Sequence, residues 1–245
     1  MRILFVGNGE IAKASLNIFL DEILSHDICG IVGPDSFFEH FKCNHLFKFT
    51  LDLQDRNEEK LLMLIELCKP DIILSVQYPW IFSTDIIKVM NGKIINLHNA
   101  KLPDYRGHHS ISYAILNKDE FYTSTLHWVA AEVDRGLMIK EVCVSINDNE
   151  TAYSLWNKTF SSCSKLIKDF FSSIKYVNDI PVGVPIASGG RFYSKKLIEQ
   201  RKCILEFEDF HNLDLHARAF HFPPYEPAYL KFDGRKIYLV PECDQ

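Results

Sequence analysis

The opening stretch leaves few folds available to this chain. Arg2-Ile3-Leu4-Phe5-Val6 is a short apolar run of the kind that makes a buried strand. Gly7-Asn8-Gly9-Glu10 follows as a tight turn, and Ile11 to Ile23 carries helical periodicity. Strand, glycine turn and helix in that order open a parallel α/β sheet. The third glycine of the dinucleotide fingerprint is replaced by Ala12, so a nicotinamide cofactor is not expected. Two readings of Asn8 and Gly9 stay open. The helix start can hold a phosphate on its backbone N–H groups, or the glycines serve only a turn that needs their φ angles.

The pattern then repeats. Asp27 to Val32 reads as a second strand, Pro34 to Thr50 as irregular chain rich in Phe and His, and Glu58 to Lys69 as an amphipathic helix stopped by Pro70. Asp71 to Val76 reads as a central strand. Gln77-Tyr78-Pro79-Trp80-Ile81-Phe82 is the loop after it, and Ser83 or Thr84 caps a short helix to Met90. After a strand at Ile94 to His98, Ser110 to Leu116 reads as a helix. Phe121 to Val129 and Leu137 to Ile146 read as strands, and Asn149 to Ile174 as a long amphipathic helix. Composition shifts after Pro181. Leu213 to Phe220 reads as a short helix, Pro223-Pro224-Tyr225-Glu226-Pro227 breaks the chain, and Ala228 to Phe232 and Arg235 to Val240 flank Asp233-Gly234 as a β-hairpin. The expected domains are residues 1–180 and 181–245.

Composition excludes several classes. The 245 residues carry a net charge of −5 and no Lys/Arg stripe, which disfavours a nucleic-acid partner. Apolar runs are too short to span a bilayer and no signal peptide is evident, so the expectation is a cytoplasmic protein without a membrane partner. The seven cysteines are too widely spaced for a disulfide framework or a zinc site and read as reduced thiols; no metal is expected.

The chemistry concentrates in Ile94-Ile95-Asn96-Leu97-His98, which turns from apolar to polar within one strand. Asn96 and His98 are two apart and face the same side. Pro103 and Gly107 bracket the loop that follows, and Asp134-x-Gly136 marks a turn further on. Taken singly, these residues also read as a satisfied polar pair and a carboxylate capping its own loop.

Taken together, Asn96-x-His98-x-x-x-Leu102-Pro103-x-Tyr105-Arg106-Gly107, Thr125-Leu126-His127-Trp128 and Asp134-Arg135-Gly136 resemble the formyltransferases that use N10-formyltetrahydrofolate. The resemblance spans roughly Met1 to Val144. It implies an α/β, Rossmann-like formyltransferase domain with a mostly parallel sheet, followed by a short C-terminal helix plus β-hairpin. It also implies an N-formyltransferase with catalytic Asn96, His98 and Asp134: Asn96 donates to the oxyanion, His98 takes the amine proton or, as imidazolium, helps hold the oxyanion, and Asp134 orients His98 and favours its charged form. The folate co-substrate is expected on Gln77, Tyr78, Pro79, Trp80, Ile81, Phe82, Val129 and Asp134. Core packing is the competing reading for Tyr78, Trp80 and Phe82. Thr123 stands where family members often have glycine.

Longer family members carry a C-terminal barrel, whereas the helix, Pro-rich loop and hairpin here are similar to the sugar N-formyltransferases, whose hairpin serves dimerisation. The implied acceptor is a nucleotide-linked amino sugar, best a dTDP-4-amino-4,6-dideoxyglucose or its 3-amino isomer, for surface-polysaccharide synthesis. Candidate acceptor residues are Asn8, Gly9, Lys101, Tyr105, Arg106, Arg218, Phe222 and Tyr225. Arg106 can clamp a diphosphate or carboxylate, with an ion pair to Asp104 or Asp134 as its ordinary alternative. Phe222 or Tyr225 can stack on a base, or pack the hairpin. The alternatives are another small amine such as glycinamide ribonucleotide, hydrolysis of formyltetrahydrofolate, and a non-catalytic folate- or nucleotide-binding module.

Overall fold

A computed structural model describes residues 1–20, 26–35, 47–50, 58–132, 134–204 and 212–242. Its strands are β1 (Arg2–Gly7), β2 (Asp27–Gly33), β3 (Phe47–Thr50), β4 (Ile72–Val76), β5 (Ile94–His98), β6 (Tyr105–Gly107), β7 (Phe121–Trp128), β8 (Leu137–Ser145), β9 (Val184–Pro185), β10 (Arg191–Tyr193), β11 (Cys203–Ile204), β12 (Tyr229–Phe232) and β13 (Arg235–Tyr238). The helices are α1 (Glu10–Leu20), α2 (Glu58–Cys68), α3 (Thr84–Val89), α4 (Ser110–Leu116), α5 (Ala152–Ser172), α6 (Lys195–Arg201) and α7 (Leu213–Phe220).

The chain divides into two compact units that interleave in sequence. One comprises 1–98, 124–142 and 162–186, the other 99–123, 143–161 and 187–245. The expected single boundary near residue 180 therefore differs from the observed grouping. Composition marks where a linker is loose, but it does not mark where one segment leaves a unit and a later one returns.

The first unit is built on an eight-stranded sheet of order β3-β2-β1-β4-β5-β7-β8-β9. The first five run parallel, as strand–helix repeats demand, and β7 then pairs antiparallel with β5. The order reverses at β1 and β4, the switch point outside whose carboxyl ends open α/β sheets bind ligands. Ile3, Leu4, Ile72, Ile73, Leu74, Ile94 and Ile95 have no exposed surface, because a parallel sheet is covered on both faces. β3 is a departure from expectation: the last four residues of the stretch read as irregular form an edge strand on β2, with Phe47 opposite Gly30. Four residues are too few to display a period in sequence. The last residues expected in the first helix, 21–23, and Cys43 and Cys243 lie outside the described residues. Cys29, Cys68, Cys143, Cys163 and Cys203 are free thiols.

Two helix starts have a free N–H group satisfied by a side chain. Ser83 caps α3 by accepting from the Ile86 N–H at 3.3 Å. The start of α1 is capped from outside the helix, where Oε1 of Gln77 accepts from the Ile11 N–H at 3.1 Å.

In the second unit, β6 pairs with β10 in parallel. The hairpin β12–β13 forms in the register expected, turning at Asp233 and Gly234, both with positive φ as a two-residue hairpin loop requires. It gains a third strand, β11, parallel to β12. The unit's core gathers Tyr105, Tyr113, Leu155, Tyr193, Ile198 and Phe220. Tyr113 and Tyr193 lie with ring centroids 3.9 Å apart.

Candidate active site

β5 ends in the polar pair, and its neighbours decide what that pair meets. Antiparallel pairing with β7 sets Asn96 opposite His127 and His98 opposite Thr125. Parallel pairing with β4 sets Ser75 opposite Asn96. Side chains of paired residues share a face. The result is a connected series: the Ser75 hydroxyl donates to Asn96 Oδ1 at 2.9 Å, and Asn96 Nδ2 lies 3.1 Å from His127 Nε2.

The loop after β7 brings the carboxylate. Asp134 puts Oδ1 3.6 Å from His127 Nε2 and Oδ2 3.9 Å from His98 Nδ1, so one carboxylate faces two imidazoles. The two rings stand 6.4 Å apart at 80°. Asp134 adopts φ +54°, and two residues later Gly136 passes directly over β7. A Cβ there would sit 1.6 Å from the Trp128 carbonyl oxygen. No side chain fits, so the glycine is what allows the turn to fold back onto the histidines.

The two histidines differ in environment. His98 is partly open, at 15% side-chain exposure, and His127 is at 2%. The His127 pKa is pushed down to about 4, first by burial, then by His98, against the opposing pull of Asp134 and the Trp128 carbonyl. His127 is thus neutral at ordinary pH.

The structure therefore brings Asn96, His98 and Asp134 together and adds His127 and Ser75. His127 stood in the quoted motif without a role, since only the β5–β7 register reveals that it touches Asn96.

Of the residues expected at the folate, Tyr78, Trp80 and Val129 pack against one core cluster that includes Phe82. The Tyr78 and Phe82 rings stack at 5.0 Å. Phe82 is buried, which favours its packing role; Pro79 and Ile81 are exposed. The indole N–H of Trp80 is buried with no acceptor among the described residues. Gln77 is committed to capping α1 beside Gly9, which has φ +85°. One backbone donor at that helix start is therefore already used, which weakens the phosphate reading of Asn8 and Gly9; the Asn8 N–H itself donates to Val76.

The second unit holds the other candidate acceptor residues. Lys101 pairs with Asp104 at 3.3 Å. Tyr105 is buried, its hydroxyl donating to Asp119 and accepting from Asn117, and burial followed by the Asp119 contact raises its pKa. Arg106 forms neither of its ordinary ion pairs, and its Nε is buried with no partner among the described residues. Arg218 donates to Asp214 at 2.7 Å and to the Glu150 carbonyl at 3.2 Å. Phe222 meets Tyr153 and Trp156 edge-on at 5.6 and 5.9 Å. Tyr225 is 68% exposed. Among the described residues no cluster of His, Cys, Asp or Glu is suited to a metal, and no helix is long and apolar enough to cross a membrane.

A doubly wound α/β sheet carrying an Asn–His–Asp centre at its strand ends defines the class. A family model described as formyl transferase matches residues 34–169, more than half of the sequence, and the chain belongs to that family. Among curated relatives, a GDP-perosamine N-formyltransferase of Brucella melitensis is 27% identical over 71% of this chain and 66% of its own length, so just under two thirds of that relative is matched. A methionyl-tRNA formyltransferase of Methylacidiphilum infernorum is 25% identical over 98% of this chain and 77% of its own length. Among solved structures, a 4-N formyltransferase from Francisella tularensis superposes with a TM-score of 0.79 at 18% identity, covering 100% of this chain and 98% of that one. An N-formyltransferase from Helicobacter canadensis, in complex with folinic acid and dTDP-3-aminofucose, gives 0.72 at 21% identity, covering 96% and 85%. At these identities the structures establish the fold.

Proposed function

We propose that this protein transfers a formyl group from N10-formyltetrahydrofolate to the amine of a nucleotide-linked amino sugar, with dTDP-4-amino-4,6-dideoxyglucose as the leading acceptor, in surface-polysaccharide synthesis. The observation that carries the reading is the convergence of Asn96, His98 and Asp134 in one unit, at the strand ends where α/β sheets do their chemistry. Simple binding needs no such trio. A folate-bound solved relative of the same fold supports the donor, and so does the unpaired Trp80 indole beside the Tyr78–Phe82 stack, a buried donor that a heterocycle's acceptor would satisfy.

The donor supplies the formyl carbon. As the acceptor nitrogen bonds to that carbon, Asn96 donates an amide N–H to the oxygen that gains negative charge. His98 removes the proton from the attacking amine and returns it to the departing folate nitrogen as the old carbon–nitrogen bond breaks. Asp134, 3.9 Å away, stabilises the imidazolium while it exists.

For the acceptor, the unpaired Arg106 Nε suits an anionic diphosphate, and the exposed Tyr225 suits stacking on a base. The charge of −5 argues against an RNA acceptor, which needs several phosphate contacts. The apolar side chains on the hairpin, Phe232 at 73% exposure with Ile237 and Tyr238, suit a two-fold homodimer through that region. This reading assigns the enzyme to the cytoplasm.

The test is a panel of dTDP-, UDP- and GDP-linked amino sugars, glycinamide ribonucleotide and methionyl-tRNA, each incubated with N10-formyltetrahydrofolate and read by mass for the added formyl group. Formylation of a nucleotide sugar is expected. Formylation of methionyl-tRNA alone would overturn the acceptor and keep the reaction; formate without a formylated amine would make the protein a hydrolase. Light scattering that returns the mass of one chain at micromolar concentration would contradict the dimer.

A further inference from the structure

The orientation of the Asn96 amide is decided outside Asn96. Nδ1 of His127 lies 3.0 Å from the Trp128 carbonyl oxygen, an atom that only accepts, so Nδ1 carries the ring proton. In a neutral imidazole Nε2 is then a bare lone pair. Only the N–H side of the Asn96 amide can face it at 3.1 Å. Oδ1 is thereby turned to Ser75, whose hydroxyl must be the donor at 2.9 Å. Burial, which holds the His127 pKa low, keeps the ring in this neutral form. Asp134 does not compete. Its Oδ1, 3.6 Å from the same Nε2, is another acceptor, so it leaves His127 to Asn96 and keeps its charge for His98.

We infer that His127 and Ser75 are positioning residues that hold the Asn96 amide in one of its two flipped states, so that its second N–H, which meets no acceptor among the described residues, is the one presented to the developing oxyanion. This rests on the proposed formyl transfer. With the amide turned over, a carbonyl oxygen would face the place where negative charge builds, and the group that should stabilise the transition state would repel it. The backbone carbonyl of Trp128 therefore sets the polarity of a side chain on the next strand.

Two measurements test this. In protein labelled with nitrogen-15 at histidine, the ring signals of His127 at neutral pH are expected to show a protonated Nδ1 and a bare Nε2; a protonated Nε2 overturns the inference whatever the enzyme's substrate. In kinetics, Ser75→Ala is expected to lower kcat roughly 3- to 10-fold, the worth of one hydrogen bond, with the KM for the formyl donor unchanged and recovery in Ser75→Thr. In an Asn96→Ala background the same Ser75→Ala change is expected to cost nothing further, because the group it orients is gone. An active wild type in which the two losses multiply sinks the positioning role and leaves formyl transfer standing. A wild type that formylates no amine sinks the function on which it rests.

Discussion

Polar side chains are deployed in opposite ways in the two units. In the first, Ser75, Asn96, His127, Asp134 and His98 form a continuous series of contacts between 2.9 and 3.9 Å, beside the buried Leu74, Ile95, Leu97 and Leu126. In the second, Lys101, Tyr105 and Arg218 are each taken up by a neighbour of their own, Arg106 keeps a buried unpaired Nε, and Tyr225 stands in solvent. The difference separates two physical tasks. Stabilising charge that exists only in a transition state needs donors fixed beforehand, since reorganisation costs rate. Recognising an acceptor needs only one or two groups with unused capacity.

The sharpest way to break this contrast is at His98. His98→Asn is expected to lower kcat by about 10²–10⁴ with little change in donor binding, measured by steady-state kinetics; near-normal turnover would remove His98 from the chemistry. Next comes Gly136→Ala. The added methyl collides with the Trp128 carbonyl, so the turn must move and carry Asp134 with it. A displacement of that kind is expected to cost about 10² in kcat in a variant that still folds by circular dichroism. Full activity would mean that the carboxylate position is not critical.

In the second unit, Tyr225→Ala is expected to weaken nucleotide-sugar binding by about 1–3 kcal/mol and leave melting and folate affinity unchanged, by calorimetry and thermal scan. Phe222→Ala is expected to destabilise the protein instead, because that ring is wedged between Tyr153 and Trp156. Equal effects of the two substitutions on sugar binding would erase the distinction between exposed recognition and internal packing.

A further effect concerns acid. The unfolded His127 titrates near 6.5 and the folded one near 4. Between those values the unfolded chain binds the extra proton, so stability falls as pH drops through the window and is flat above it. The slope is at most about 1.4 kcal/mol per pH unit for one proton. Denaturant titrations of His127→Gln at several pH values should show a shallower acid loss than the wild type; an identical slope would place the proton uptake elsewhere.

What the sequence discloses follows the range over which each feature is encoded. Helix α4 and the Asp233-Gly234 hairpin were legible, since their signals lie within the elements themselves. Asn96, His98 and Asp134 were legible as a motif. The role of His127 was not, because its partner lies on another strand and only the register joins them. The capping of α1 by the Gln77 side chain was not legible either, because it depends on two loops meeting in space. The two-residue strands β9 and β11 carry no period at all. The partners of Tyr105 and Arg218 were not legible, because a sequence shows a polar side chain without its spatial neighbours.

The antiparallel rung that sets Asn96 across from His127 has a consequence for how such a chain can change over generations. The polypeptide leaves β5 at His98 and re-enters the sheet on β7, and whatever it does between the two drops out of the geometry so long as it returns to the same rung. The buried Leu97 and Leu126, also paired across the ladder, hold that rung, since a slip of one residue would turn an apolar side chain outward. A single residue added within β7 would turn His127 to the opposite face. On the proposed function, a rewritten detour, which carries Lys101 and Arg106, would vary the acceptor while the Asn96–His127 rung stayed in place.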